Sequence, residues 1–282
     1  MKLTLHARAK INWSLSICGE RPDGYHSLDM LMQSIELCDV LSFEPARFLS
    51  LTVDGKKLPI GNRNLVIRAA NALNETLGLH NGARISLKKN IPTRAGLGGG
   101  SADCAMTLIA LNRLWNLRLP LRTLQQIGLK LGADVPFCLQ QGMARAEGVG
   151  EILTPLESPP MIPLVMVTPG GGLSTPAVFK AWSAGNYPMS RIDNLALAGA
   201  LKARDFARAQ ALSCNDLETP AIALMPEIGA LIDRFRSLGA AFVRMTGSGS
   251  TVFAAFESEE AARRAADAVP GAILTRTTAD PL

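Results

Sequence analysis

Pro92-Thr93-Arg94-Ala95-Gly96-Leu97-Gly98-Gly99-Gly100-Ser101-Ala102-Asp103 is the stretch on which the reading of this chain turns. Four glycines in five positions lead into Ser, Asp and the apolar-periodic segment from Ala105 to Leu114, the pattern of a loop feeding a helix N-terminus. Such a junction offers unpaired backbone N–H groups and the positive end of a helix dipole to one anion. Glycines let the backbone curl into a concave nest and approach a polyphosphate with no Cβ in the way. The competing reading is a flexible turn with Ser101 as the helix cap. Ordering four clustered glycines costs more entropy than a simple turn requires, which favours phosphate binding.

Three familiar phosphate-site signatures are missing. No Lys follows Gly98-Gly99-Gly100, so G-x-x-x-x-G-K-[S/T] is absent, and Gly96-x-Gly98-x-x reaches Ser101 instead of the third glycine of a dinucleotide fingerprint. H-R-D and D-F-G do not occur. What remains is P-x-x-x-G-L-G-G-G-S.

Other motifs lie along the chain: Ala9-Lys10-Ile11-Asn12-Trp13-Ser14-Leu15, Gly19-Glu20-Arg21-Pro22-Asp23-Gly24-Tyr25-His26, Gly132-Ala133-Asp134-Val135-Pro136-Phe137 and Ala146-Glu147-Gly148-Val149-Gly150-Glu151. Ser213-Cys214-Asn215-Asp216-Leu217-Glu218 and Thr246-Gly247-Ser248-Gly249-Ser250 follow. The glycine loop resembles the second motif of the GHMP kinases, which phosphorylate small molecules such as galactose, homoserine and mevalonate. Together the segments resemble the 4-diphosphocytidyl-2-C-methyl-D-erythritol kinase family within that group, over residues 1 to about 257. R-P-D-G-Y-H is the most discriminating element. The loop departs from the family in three places: Arg94 stands for a glycine, Ala102 for a second serine and Asp103 for an asparagine.

The resemblance implies an α+β, two-domain GHMP kinase fold with the active site in the interdomain cleft. It implies ATP-dependent phosphorylation of the 2-hydroxyl of the family's cytidine-diphosphate substrate in the non-mevalonate isoprenoid pathway. The alternative is another GHMP kinase acting on mevalonate, homoserine or a sugar alcohol. ATP and Mg²⁺ are the implied cofactors. The departures in the loop put the metal ligands in doubt and leave a nest of backbone amides intact.

Bulk properties agree. The 282 residues suffice for a large core in one long or two smaller domains. With 48% hydrophobic and 19% charged residues the composition is that of a soluble globular protein. No apolar run approaches the roughly 20 residues that span a bilayer, and the start lacks a signal peptide's apolar core. Five scattered cysteines without C-x-x-C spacing read as reduced thiols of a cytoplasmic protein. The net charge of +5 is thinly spread, with no run of five Lys/Arg and only 5% aromatics, so anionic small molecules are expected as partners in preference to nucleic acid or membrane.

Alternation of apolar and polar residues predicts strands at 3–9, 11–18, 33–43, 51–53 and 84–87, with a turn over 19–24. Asn64 is expected to cap a helix that ends at Gly78. Helices are predicted at 101–116 and 121–131. Four prolines in 155–163 suggest an interdomain linker, dividing the chain into 1–154 and 155–282. Beyond it come a buried strand at 164–167, helices at 195–201, 204–212 and 219–238, strands at 241–245 and 251–256, a Ser258-capped helix to about 269, and an edge strand at 272–274.

Phosphoryl transfer to an alcohol needs a held polyphosphate, neutralised charge and a group to orient or deprotonate the hydroxyl. Pro92, Thr93, Arg94, Ala95, Gly96, Leu97, Gly98, Gly99, Gly100, Ser101 and Ala102 are expected to bind ATP, Ser101 either as an oxygen ligand to magnesium or phosphate or as a cap. Asp134 follows a helix stop among apolar neighbours, where partial desolvation makes a carboxylate a better proton acceptor. It is the candidate base, against the alternative of a turn cap. The resemblance pairs it with Lys10 as the catalytic couple. Asn12, two strand residues on, faces the same side as Lys10 and is a candidate ligand of the substrate's hydroxyls, against a solvent-facing alternative. Tyr25 and His26 carry a stacking ring and an imidazole suited to a pyrimidine edge. The resemblance assigns them the cytosine, with Phe179 as a second ring and Thr175 nearby. It also brings the 246–250 loop to the phosphate loop, and Asp216 is given structural support alone.

Overall fold

The computed structural model describes residues 2–55 and 57–278. Packing divides the chain into two compact units interleaved along the sequence: Met1–Ala9, Leu37–Pro92 and Gly98–Gln140 in the first, Lys10–Glu36, Thr93–Leu97 and Gln141–Leu282 in the second. The chain changes unit inside each of its first two strands, β1 (Leu3–Glu20) and β2 (His26–Ala46), which pair with each other. Strands 3–9 and 11–18 were expected separately. They form one because Lys10 stays in extended backbone, its N–H donating to Leu97 O at 3.0 Å.

In the first unit β3 (Ser50–Asp54) runs parallel to β4 (Gly82–Lys88), and β4 is antiparallel to the Val40–Ala46 half of β2. Between them α1 (Leu65–Leu77) starts where Asn64 accepts from Val66 N at 3.0 Å and stops at Gly78, whose φ of 63° is the left-handed C-cap that glycine permits. Next come α2 (Gly99–Leu114), α3 (Leu121–Leu129) and α4 (Val135–Gln140). Helix α2 is buried on nearly every side from Ala102 to Leu111, against α1, α3 and α4. Its small residues Ala102, Cys104 and Ala105 suit that central place.

The second unit adds β5 (Met143–Gly148), antiparallel to Leu28–Gln33 of β2, and β6 (Ile152–Leu156) beside β5. It continues through β7 (Pro163–Val167), α5 (Thr175–Ala184), α6 (Asn194–Lys202), α7 (Phe206–Leu212), α8 (Glu218–Leu224), α9 (Glu227–Ser237), β8 (Phe242–Met245), β9 (Val252–Ala255), α10 (Glu259–Asp267) and β10 (Ile273–Arg276). An antiparallel sheet of order β10-β7-β9-β8 is the scaffold, with β10 at an edge as expected. Trp13 of β1 packs edge-on against Phe242 and Phe253, at centroid distances of 5.0 and 5.4 Å.

Several expectations are corrected. The helix expected from Ser101 to Asn116 begins two residues earlier, at Gly99, and ends at Leu114. The one expected to Leu131 ends at Leu129, and α4 follows where none was predicted. The 219–238 helix is two, because Pro226 lacks the N–H that a continuing helix needs. The proline-rich 155–163 stretch runs from the end of β6 to the start of β7. Ser258 caps α10 as predicted, accepting from Ala261 N at 3.2 Å.

Candidate active site

The glycine-rich stretch passes from the second unit to the first between Leu97 and Gly98. On the first-unit side Gly98 is the N-cap of α2, at φ 66° and ψ 15°, with no side-chain cap. Ser101 is therefore not the cap but the third helical residue. The helix can begin this early because Gly99 fits a space closed to other residues: a Cβ there would stand 2.9 Å from Ile91 Cγ2 and 3.2 Å from Lys89 Nζ. Ala102 is buried and its N–H donates to Gly98 O at 2.9 Å, so the uncapped first-turn donors belong to Gly99, Gly100 and Ser101. Donors in the first turn of a helix have no intrahelical acceptor, an arrangement that suits an anion.

Ser101 Oγ lies 3.6 Å from where a Cβ on Gly132 would be, so Gly132-Ala133-Asp134 starts beside the first turn of α2. Asp134 is half-buried, and its carbonyl oxygen accepts from Cys138 N at 3.0 Å as α4 opens. Beneath α2 sits a buried triad absent from the sequence reading. Lys89 Nζ donates to Asp39 Oδ2 and, at 2.7 Å, to Asp103 Oδ2. Asp39 Oδ1 also accepts from Asn90 N and Ile91 N, while Asp103 Oδ1 is buried with no hydrogen-bond partner. Burial pushes the Asp103 carboxyl up to about 7; the Lys89 ammonium opposes the shift and the Asp39 carboxylate adds to it.

In the second unit Lys10 is 4% exposed and Asn12 1% exposed, which removes the solvent-facing alternative for Asn12. Both point the same way along β1, and Lys10 Nζ donates to Asn12 Oδ1 at 2.7 Å. Asn12 N donates to Thr246 Oγ1 at 3.0 Å, which anchors the 246–250 loop to β1. That loop also meets the phosphate stretch: a Cβ on Gly96 (φ 75°) would stand 2.2 Å from Thr246 O. A Cβ on Gly247 would stand 3.3 Å from Lys10 Nζ. The loop is thus the strand–loop–strand connection of β8 and β9 and a packing partner of Gly96 at once.

Ala95 and Leu97 bury their side chains and hold the stretch by their carbonyls, Ala95 O accepting from Thr251 N and Leu97 O from Lys10 N. Pro92 is half-buried; Thr93 and Arg94 are exposed. Arg94 adopts φ 54°, in the left-handed region that glycine occupies more readily. A side chain there costs roughly 1–2 kcal/mol.

His26 stacks on Phe179 at 5.0 Å and 27° between planes, meets Trp182 edge-on at 5.4 Å, and pairs its Nε2 with Ser183 Oγ at 3.1 Å. Phe179, Trp182 and Ser183 share one face of α5 by their i, i+3, i+4 spacing. Trp182 and Ser183 escaped the sequence reading because α5 was not recognised. Thr175-Pro176, with proline in the first turn, was the available signal. Tyr25 is 66% exposed, and Thr175 Oγ1 pairs with Ser248 Oγ at 2.8 Å.

The GHMP kinases N-terminal domain model matches residues 64–142 and the GHMP kinases C-terminal model residues 197–273. The chain is 45% identical over 268 residues to the 4-diphosphocytidyl-2-C-methyl-D-erythritol kinase of Pelotomaculum thermopropionicum, covering 94% of this chain and 93% of that one. A protein of the same name from Cereibacter sphaeroides is 47% identical, over 93% and 92% of the two chains.

The chain belongs to the 4-diphosphocytidyl-2-C-methyl-D-erythritol kinase family.

A crystal structure of a 4-(cytidine 5'-diphospho)-2C-methyl-D-erythritol kinase superposes with a TM-score of 0.84 at 38% identity, covering 99% of this chain and 100% of that one. Homoserine kinase from Cytophaga hutchinsonii, at 19% identity and a TM-score of 0.74, shares the fold. The α+β GHMP fold, and membership of a family of small-molecule kinases, thus stand as the motifs implied. The two GHMP domain matches fall on either side of the 154/155 division, whereas the compact units interleave across it. Among the described residues no helix is long and apolar enough to cross a membrane.

Proposed function

We propose that the chain transfers the γ-phosphoryl group of ATP to the 2-hydroxyl of 4-diphosphocytidyl-2-C-methyl-D-erythritol, yielding the 2-phosphate and ADP, as the names of its relatives suggest. The observation that carries this is the buried Lys10 ammonium, held on Asn12 beside Gly247 and next to the stretch that leads to the uncapped N-terminus of α2. The substrate oxygen attacks the γ-phosphorus as the bond to ADP breaks, and its proton passes to Asp134. Lys10 stabilises the negative charge on the reacting oxygens, and Asn12 orients the acceptor. The 92–102 stretch holds the triphosphate: N–H groups of Gly99, Gly100 and Ser101 face the phosphates, while Ala95, Leu97 and Ala102 anchor the backbone. Tyr25, His26 and Phe179 receive the cytosine, with Thr175 beside them.

Magnesium belongs to this reading as an ion carried by the nucleotide. No group of three His, Cys, Asp or Glu that suits a metal occurs among the described residues. An ion of this kind is bound through phosphates, waters and one or two protein oxygens. The Ser101 hydroxyl and Asp134 carboxylate would supply those oxygens, and the ion would neutralise phosphate charge. We place the protein in the cytoplasm, with small-molecule partners in place of nucleic acid or membrane, and retain 1–154 and 155–282 as its two domains.

Coupled ADP release is measured against a panel of alcohols: the cytidine substrate, mevalonate, homoserine and galactose. Turnover confined to the cytidine substrate supports the proposal, and preference for another acceptor refutes it. Asp134→Ala should lower kcat by about 10²–10⁴-fold with the fold intact.

A further inference from the structure

The Asn215-Asp216-Leu217-Glu218 motif takes no part in the chemistry above, yet its polar side chains converge on the elements that carry Lys10. Asn215 is buried, and its Nδ2 donates to Met245 O at 2.8 Å and to Gly247 O at 2.9 Å. Its Oδ1 accepts from Leu217 N at 3.0 Å, which fixes which amide atom faces the loop. Glu218 Oε2 accepts from Met245 N at 2.8 Å. The same segment lies along β1, where Leu15 N donates to Cys214 O and Asp216 N to Leu15 O, while Asp216 Oδ2 accepts from Ile17 N at 2.7 Å. One short segment therefore grips both the strand bearing Lys10 and Asn12 and the loop whose Thr246 hydroxyl holds Asn12 N.

We propose that Asn215 is a positioning residue for the reaction: by holding the carbonyls of Met245 and Gly247 it sets the 246–250 loop, and through Thr246 and Asn12 the place of the Lys10 ammonium. Asn215 touches no reacting group; it acts through Lys10, so the inference rests on the catalytic role proposed for that residue. Gly247 suits the arrangement, since the loop backbone passes Lys10 Nζ at a distance that leaves little space for a side chain.

Asn215→Asp is the test. It keeps the volume and the acceptor for Leu217 N but turns a carboxylate oxygen toward two carbonyls, pushing the loop away. Displacement by a fraction of an ångström should lower kcat by about 10–100-fold. KM for the alcohol should stay within about threefold, because the aromatic cluster is untouched. Thr246→Val, which removes the hydroxyl between loop and strand, should show the same split, and Thr246→Ser should restore most of kcat. These two variants also decide the matter should Asn215→Asp fail to fold, as read from its thermal transition. Unchanged kcat in folded Asn215→Asp overturns the inference, as does unchanged kcat in Thr246→Val, or KM values that rise in step with lost stability. Full kcat in Lys10→Ala overturns instead the catalytic role of Lys10, so the two failures are distinguishable.

Discussion

Asp103→Asn removes one charge from the buried triad beneath α2 and leaves an oxygen to accept from Lys89. In the native protein one ammonium faces two carboxylates, all three side chains 5% exposed or less, so the cluster carries a net negative charge when both acids ionise. Asp103 Oδ1 is buried, and no protein donor among the described residues reaches it. The carboxyl accordingly moves from 3.8 to about 7. Between those values the folded state keeps a proton that the unfolded chain releases, so stability falls as pH rises and levels off once the folded group ionises. At about 1.4 kcal/mol per pH unit, the native protein should lose about 2 kcal/mol between about pH 5.5 and pH 7, and little more by about pH 8. Asparagine has no such titration. Urea unfolding of both proteins at about pH 5.5 and pH 8 measures the difference: the variant should gain about 2 kcal/mol on the native chain at the higher pH. Parallel pH dependences would refute the reasoning, because the Asp103 carboxylate would then be as well stabilised in the fold as in water.

Gly96→Ala should abolish nucleotide binding in calorimetry and lower the unfolding midpoint, since φ 75° disfavours a side chain and the methyl would meet Thr246 O at 2.2 Å. Ser183→Ala leaves His26 Nε2 without its partner; KM for the cytidine substrate should rise about 3–10-fold, with KM for ATP unchanged, in steady-state assays. Phe242→Ala opens a cavity against Trp13 and Phe253 and should cost about 3–5 kcal/mol in denaturant unfolding, whereas wild-type stability would contradict the core described above.

What the sequence determined by itself is local. Glycines before an apolar-periodic run specify a loop that feeds a helix, Asn64 and Gly78 bracket α1, and the period of a strand puts Lys10 and Asn12 on one face. These follow from backbone sterics and from hydrogen bonds a few residues long. The tertiary structure alone decided that α2 begins at Gly99, because Ile91 and Lys89 close the space around that glycine. It decided too that Arg94 takes a glycine's conformation, that Lys89, Asp39 and Asp103 share one buried site, and that His26 meets Trp182 and Ser183. Asn12 and Thr246 bond across 234 residues of chain, and Asn215 reaches its loop across 30 or more. Contacts of that span are selected by how whole elements pack, and no periodicity in a linear sequence encodes which distant pair will meet.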